Sequence, residues 1–223
     1  MKPDLFPRLE LFLNELSANN HKLWFDEHRQ LYQGIRGDFI RFVDELLASV
    51  VLLDEDLAGQ EGKNCIFRIN RDVRFSQNKA PYKNNFSAYL SKGGKKFPGA
   101  GYYFHFQPGN SFLAAGVWMP EATLLKSIRQ EIDYDVEAFS LICTDLDSRG
   151  YRLEGERLSR PPKGYEANNP AIEWIKLKSF VFTRPFELSG IKDPKDIIAD
   201  FTHAVRDLKP FVNFLNRVFD QGN

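Results

Sequence analysis

YYFHFQPGNSFLAAGVW, residues 102 to 118, is two patterned runs on either side of Gln107-Pro108-Gly109-Asn110. In YYFHF, alternation places Tyr102, Phe104 and Phe106 on one face and Tyr103, His105 and Gln107 on the other, the signature of a strand with one apolar and one mixed side. SFLAAGVW (111–118) supplies the partner, and a Pro-Gly pair between two such runs reads as a β-hairpin. Working outward, CIFRI (65–69), FSAYL (86–90), YRLEGERL (151–158) and KSFVFTRPFEL (178–188) read as further strands or hairpins. The connections among the early ones are too short for the crossover that a parallel pair requires, so the sheet is expected to be antiparallel.

The flanks are helical. Leu5, Leu9, Phe12, Leu13 and Leu16 recur at helical spacing, followed by Leu23, Trp24, Leu31 and Ile35, then by Phe39, Phe42, Val43, Leu46 and Leu47. Trp24 and Leu31 are assigned to the core. MPEATLLKSIRQEI (119–132) predicts a helix with Pro120 in its first turn and Glu121 near the positive end of its dipole. DVEAFSLICTDLDSRG (135–150) predicts another helix that stops at Gly150, and AIEWIKLK (171–178) a short one. Residues 193 to 218 predict a closing amphipathic helix with Phe201, Val205, Leu208, Val212, Leu215 and Phe219 on one face. KGGKKFPGAG (92–101) reads as a flexible surface connection.

Helices, then strands, then helices give an α+β fold: a mostly antiparallel sheet of about five strands with an N-terminal helical layer and packed C-terminal helices. We expect one domain over residues 1–223, with a helical layer at 1–60, a basic strand meander at 63–118, and helices with a closing strand at 119–223. Hydrophobic content of 43% with 20 Phe and 8 Tyr is enough to build a sizeable aromatic core and argues against disorder. Asp4, Arg8 and Glu10 interrupt what a signal peptide would need as its apolar stretch, and no membrane span is expected. Cys65 and Cys143 lie in apolar contexts with no CxxC partner, so both read as buried free thiols, and a reducing cytoplasm is the default.

The formal net charge is zero, but the charge is segregated. Between Lys63 and His105 there are nine cations and one acid, Asp72, a balance of +8, against −6 for residues 1–62 and −2 for 106–223. The tightest group is RINRDVRFSQNKAPYKNNF (68–86), which carries Arg68, Arg71, Arg74, Lys79 and Lys83. Arginine forks fit carboxylate or phosphate, and three of them exceed what Asp72 can neutralise. Asp72 is expected to orient one guanidinium, with Asn78, Lys79, Tyr82 and Lys83 adding donors beyond the Pro81 turn. A small anionic ligand such as a phosphate ester, nucleotide or carboxylate suits this pattern.

Two alternatives stay open. Phe75, Tyr82, Phe86 and Tyr89 interleaved with cations could stack bases, although neutral overall charge and a pI of about 6.9 disfavour a dedicated nucleic-acid module. The basic sheet could instead pair with the acidic stretches 26–56 and 131–147 as a non-catalytic scaffold. If there is chemistry, His105 or Tyr82 would move a proton. Trp118, Lys163 and Tyr165 are added as ligand contacts, a stacking ring and a loop with a cation and a phenol. His21 and His28 are two helical turns apart, so no metal site is expected, and no cofactor fingerprint is present: GGKK lacks the Walker pattern and GAGYYF precedes no helix. Oligomeric state is not legible.

The pattern R-x-x-R-D-x-R-F-x-x-N-K-x-P-Y-K, here Arg68 to Lys83, resembles the signature of the bacterial family called domain of unknown function 2461. The resemblance extends to NHKLWFDEHRQLY (20–32), FHFQPGNSFLAAGVWMPE (104–121) and PPKGYEANNPAIEWIKLKSF (161–180), and covers most of the chain. One loop departs from it: Asn168-Asn169-Pro170 stands where an acid and a histidine are expected before the proline. The resemblance implies a compact bacterial protein with a shared site and names no reaction.

Overall fold

The structure is a computed structural model that describes residues 3–186 and 193–222. Three helices open the chain: α1 (Leu5–Ala18), α2 (Lys22–Glu27) and α3 (Arg29–Val50). Their breaks fall at Asn19, which closes α1, and at His28, which separates α2 from α3. Ile35 and Phe39 therefore share one helix. Leu31 is not core but 44% exposed, because Tyr32, three residues before Ile35, takes the inward position against Phe12 and Phe25. Trp24 is partly buried against the core, and its ring stacks on His28 at 3.9 Å.

Five antiparallel strands form one sheet: β1 (Phe86–Leu90), β2 (Gly101–Phe106), β3 (Phe112–Val117), β4 (Arg152–Glu154) and β5 (Phe180–Pro185), in the order β1-β2-β3-β5-β4. The expected hairpin is present, with Phe104 opposite Leu113 and His105 opposite Phe112. Gly109 turns it at φ +71°, and the Asn110 N–H donates to the Gln107 carbonyl at 3.0 Å. Gly116 has no alternative: its φ is +132°, and a Cβ there would lie 1.9 Å from the Phe180 carbonyl oxygen. The end of the KSFVFTRPFEL stretch, 187 and 188, lies outside the described residues.

The alternation assigns the faces. Ala88, Leu90, Tyr102, Phe104, Phe106, Leu113 and Ala115 are all buried on the side covered by helices. Phe104 is the hub there, with ring centroids of Phe6, Phe39, Phe42, Phe186 and Phe201 5.2 to 6.4 Å away. Full burial of one such ring contributes about 1.5–3 kcal/mol. A second hub, Phe139, gathers Trp174, Phe180, Phe211 and Phe214.

The remaining helices are α4 (Gly62–Cys65), α5 (Ala122–Tyr134), α6 (Val136–Ser148), α7 (Ile172–Ile175) and α8 (Pro194–Asn216). Pro120 precedes α5 rather than lying in its first turn, since Glu121 occupies the N-cap position. In α8, Phe201, Val205, Leu208, Val212 and Leu215 are buried as expected. Phe219 instead falls in a following 3-10 turn, 40% exposed, against Phe97 at 5.0 Å. Residues 92–101 are tied down at several points. The Tyr89 hydroxyl donates to the Gly99 carbonyl, and the Asn216 amide bonds both the N–H and the carbonyl of Ala100.

CIFRI is not a strand of the sheet. α4 consumes Cys65, and residues 66–70 meet 82–88 through two isolated antiparallel bridges, Ile66 with Ala88 and Asn70 with Tyr82. Four residues separate Ile66 from Asn70 while six separate Tyr82 from Ala88, so the two segments cannot stay in register. The two surplus residues bulge between Lys83 and Ser87, and a bulge re-aims side chains.

Candidate functional site

The face of the sheet away from the helices is where the bulge matters. A cleft of about 370 Å³ lies there, lined by Phe67, Arg71, Asp72, Lys83, Asn85, Ser87 and Tyr103. Asn85 comes from the bulge and Lys83 from the paired residue just before it, Phe67 from the irregular segment, and Ser87 and Tyr103 from neighbouring strands. The Phe67 N–H donates to the Ser87 carbonyl at 3.0 Å, which fixes the wall against the floor.

Cations crowd this wall. Lys83 Nζ lies 5.3 Å from the Phe67 ring centroid and Lys95 Nζ 5.4 Å from it, so one ring serves two ammonium groups. Burial lowers the Lys83 pKa first, and Arg68 and Lys95 lower it further. Lys95 is also lowered, by burial and then by Arg36 of α3, against an opposing effect of Cys65. Among the described residues, neither Arg68, Lys83 nor Lys95 has a carboxylate within ion-pair distance. Three cations of the basic region do have one: Lys63 with Glu61 (2.8 Å), Arg74 with Asp72 (2.6 Å) and Lys92 with Asp56 (3.4 Å). Only the last of these acids belongs to the acidic stretch 26–56.

Below the cleft runs a hydrogen-bonded chain. The Tyr103 hydroxyl is 3.0 Å from His105 Nδ1, and His105 Nε2 is 3.1 Å from Gln107 Oε1. Because Gln107 Oε1 only accepts, Nε2 carries the proton and Nδ1 accepts from Tyr103. His105 is 8% exposed and stacks on Phe112 at 4.5 Å. Burial lowers its pKa, the Gln107 contact opposes this, and Lys83 lowers it again. The imidazole is thus neutral near pH 7 and reaches the cleft only through Tyr103.

The 71–80 loop is largely occupied with itself. Arg71 lines the cleft, yet its guanidinium donates to the Ala80 carbonyl at 3.0 Å and to Ser76 Oγ at 3.4 Å. Asp72 accepts from Arg74 Nε at 2.9 Å, which holds its carboxyl below the usual range, and so orients one guanidinium as expected. Lys79 Nζ donates to the Val73 carbonyl, and Asn78 Oδ1 accepts the Ala80 N–H. Arg74, Asn78 and Lys79 do not line the cleft. Tyr82 is 6% exposed, its ring stacked on Phe25 of α2 at 4.0 Å, so it packs rather than faces the cleft.

Trp118, Lys163 and Tyr165 lie elsewhere. Trp118 follows β3, four residues beyond Ala114, the partner of Tyr103, which at about 3.3 Å per residue is roughly 13 Å along the strand. Lys163 is in an exposed loop, and Tyr165 sits near Arg129 and Asp133 of α5. In that loop, Asn169 donates to Asp133 Oδ1 at 2.6 Å and accepts the Ala171 N–H at 2.7 Å, a turn-forming role. Phe67, Asn85, Ser87, Lys95 and Tyr103 were absent from the sequence-based set. Tyr103 alone had a signal there, its place on the same face as His105.

A second cleft of about 250 Å³ lies between α8 and the start of β2. Its charged groups are paired: Lys92 with Asp56, Arg217 with Asp135 at 2.8 Å, and Asp54 accepting the Tyr102 hydroxyl at 2.7 Å. Among the described residues no group of three His, Cys, Asp or Glu could hold a metal ion, and no helix is long and apolar enough to cross a membrane.

The stretch around the cleft and the helices beneath it also carry a family likeness that covers most of the chain. The model of the family described as conserved hypothetical protein (DUF2461) matches residues 9–214. The chain belongs to this family. Neither curated proteins nor solved structures give a match. Two stretches within the matched region meet in space: Asn20 bonds the backbone of Tyr82, and Phe25 stacks on its ring, so the segment between α1 and α2 seats the basic stretch.

Proposed function

We propose that the cleft on the open face of the sheet binds a small anionic ligand, a phosphate ester or carboxylate with a flat or unsaturated body. The observation that supports it is that Lys83 and Lys95 share the Phe67 ring, with Arg68 acting on Lys83, and that none of the three has a carboxylate in ion-pair range among the described residues. Two exposed like charges beside a half-buried ammonium raise the free energy of the empty site, and an anion relieves both the repulsion and the hydration that Lys83 has lost. Ser87 and Asn85 supply neutral donors, and the Phe67 and Tyr103 rings, edge to face at 6.1 Å, supply an apolar wall.

The test is a titration of the folded protein, at low salt, with inorganic phosphate, nucleoside monophosphates and dicarboxylates, read by thermal shift and calorimetry. A saturable rise in Tm is expected, with affinity falling about tenfold, or ~1.4 kcal/mol, in Lys83→Gln and in Arg68→Gln. No shift with any anion, or shifts untouched by both substitutions, would overturn the reading.

One observation favours nucleic acid as a second reading. Phe75 is 95% exposed, with the Arg74 guanidinium 5.7 Å from its ring centroid, an arrangement on which a base can stack. Single-stranded oligonucleotides whose affinity grows with length, falls steeply with salt and is lost in Phe75→Ala would select it.

A further inference from the structure

The lysines of the basic region are not equivalent. Lys63 and Lys92 are ion-paired, Lys79 Nζ is bound to the Val73 carbonyl, and Lys95 Nζ donates to the Ile66 carbonyl. Lys83 differs from these four: its Nζ has neither a hydrogen bond nor an ion pair among the described residues, while its backbone N–H is fixed to the Ile69 carbonyl at 2.8 Å. It lines the 370 Å³ cleft beside an aromatic ring, with two further cations close by. An amine that is desolvated, flanked by cations and left without an acid is the environment in which lysine becomes a nucleophile near neutral pH.

We infer that Lys83 is an imine-forming lysine, and that the anionic ligand of the cleft is an aldehyde or ketone whose carbonyl carbon is placed against its Nζ. This rests on the anion-binding reading and names the class of compound that it would take. The neutral amine attacks the carbonyl carbon; the C–N bond forms, the π pair moves to oxygen, and that oxygen takes up a proton. Loss of water then breaks the C–O bond and leaves a protonated imine, so that amine, carbonyl compound and one proton give iminium and one water, with no redox change. Tyr103, which lines the same cleft and shares its hydroxyl proton with His105, is the group placed to pass protons during the loss of water.

The lowered pKa of Lys83, due first to burial and then to Arg68 and Lys95, agrees with this assignment by enlarging the neutral fraction. Arg68 and Lys95 do not line the cleft, but both act on Lys83 from its exposed rim, Lys95 across the Phe67 ring, and there they attract the ligand's anionic group.

The probe is pyridoxal 5′-phosphate, an anionic aromatic aldehyde, added to the folded protein near neutral pH and trapped with cyanoborohydride. Peptide mass spectrometry then reads which lysine carries the reduced adduct. Lys83 is expected to be labelled about tenfold faster than the exposed Lys96 and Lys163, because the basic cleft concentrates the anionic probe beside its Nζ. Excess inorganic phosphate should slow Lys83 and leave the other two unchanged. A parallel thermal shift with pyridoxine 5′-phosphate, which has no carbonyl, reads anion binding alone. If that analogue binds and Lys83 is labelled no faster than Lys96 and Lys163, the imine assignment is overturned and the anion cleft stands. If the analogue fails to bind and Lys83 is not preferred, both fall.

Discussion

Asn20 closes both backbone hydrogen bonds of Tyr82: its Nδ2 donates to the Tyr82 carbonyl at 3.1 Å and its Oδ1 accepts the Tyr82 N–H at 3.1 Å. One short side chain between α1 and α2 thereby fixes the strand segment that leads into the bulge. Asn20→Ala would leave two partly buried backbone groups unpaired, at a cost of about 1–3 kcal/mol. Chemical denaturation should show that loss, and anion binding should weaken with it because Lys83 is the next residue. Tyr82→Phe keeps the stack on Phe25 and should leave both stability and binding within about 0.5 kcal/mol of the parent.

Lys83 makes the opposite kind of prediction. Folding lowers its pKa, so its protonated form weighs against the native state at every pH below the folded value, and that cost disappears above the ordinary lysine range. Lys83→Met should therefore raise Tm near pH 7, by up to about 3 °C, while weakening anion binding about tenfold. The gain should shrink as the pH is raised toward about 10. A lower Tm in the variant at neutral pH would show that the ammonium is stabilising where it sits.

His105 titrates in an accessible range. Its folded pKa lies below the free value of about 6.5, so the unfolded chain binds the proton more readily and stability falls as pH drops through and below that value. In His105→Gln this contribution is absent. Thermal melts between about pH 7 and pH 5 should show the variant losing a few degrees less than the parent, whatever its starting Tm. Equal losses would mean that His105 is protonated as easily in the folded protein as in the unfolded chain.

The two thiols report on the core. Cys65 and Cys143 are free and buried, and burial pushes their pKa values up to about 11 and about 12. Both should resist a thiol reagent at pH 8 until the protein unfolds, since the thiolate is the reactive form. Labelling rates that follow global unfolding in a denaturant series would agree, whereas fast labelling of Cys65 alone would reveal local opening at the end of α4.

The hairpin and the face of each of its residues were legible because a period of two residues in YYFHF survives any tertiary context. The cleft was legible only in outline. The surplus of positive charge at 68–83 located it, but which cations remain unpaired depends on hydrogen bonds inside the 71–80 loop, where Arg71, Arg74 and Lys79 are used. The bulge was not legible, because it arises from a mismatch in length between two segments that pair imperfectly, and neither segment shows it alone. Lys95 was read as part of a solvated connection, since nothing in KGGKK tells that the chain folds back over Phe67. Trp118 offers a stacking ring at the end of AAGVW, and the sequence alone does not show how far along the strand that ring lies from the cleft.

The strand order carries a consequence for how the chain is made. β5 lies between β3 and β4, and among the described residues β4 has no other neighbour in the sheet. Residues 152–154 therefore leave the ribosome with nothing to pair with until residues 180–185 have followed them, and β3 likewise waits with one open edge. Helices α1 to α4 and the first three strands can assemble in the order of synthesis. The far side of the sheet is completed out of order, by a late segment sliding in between two early ones.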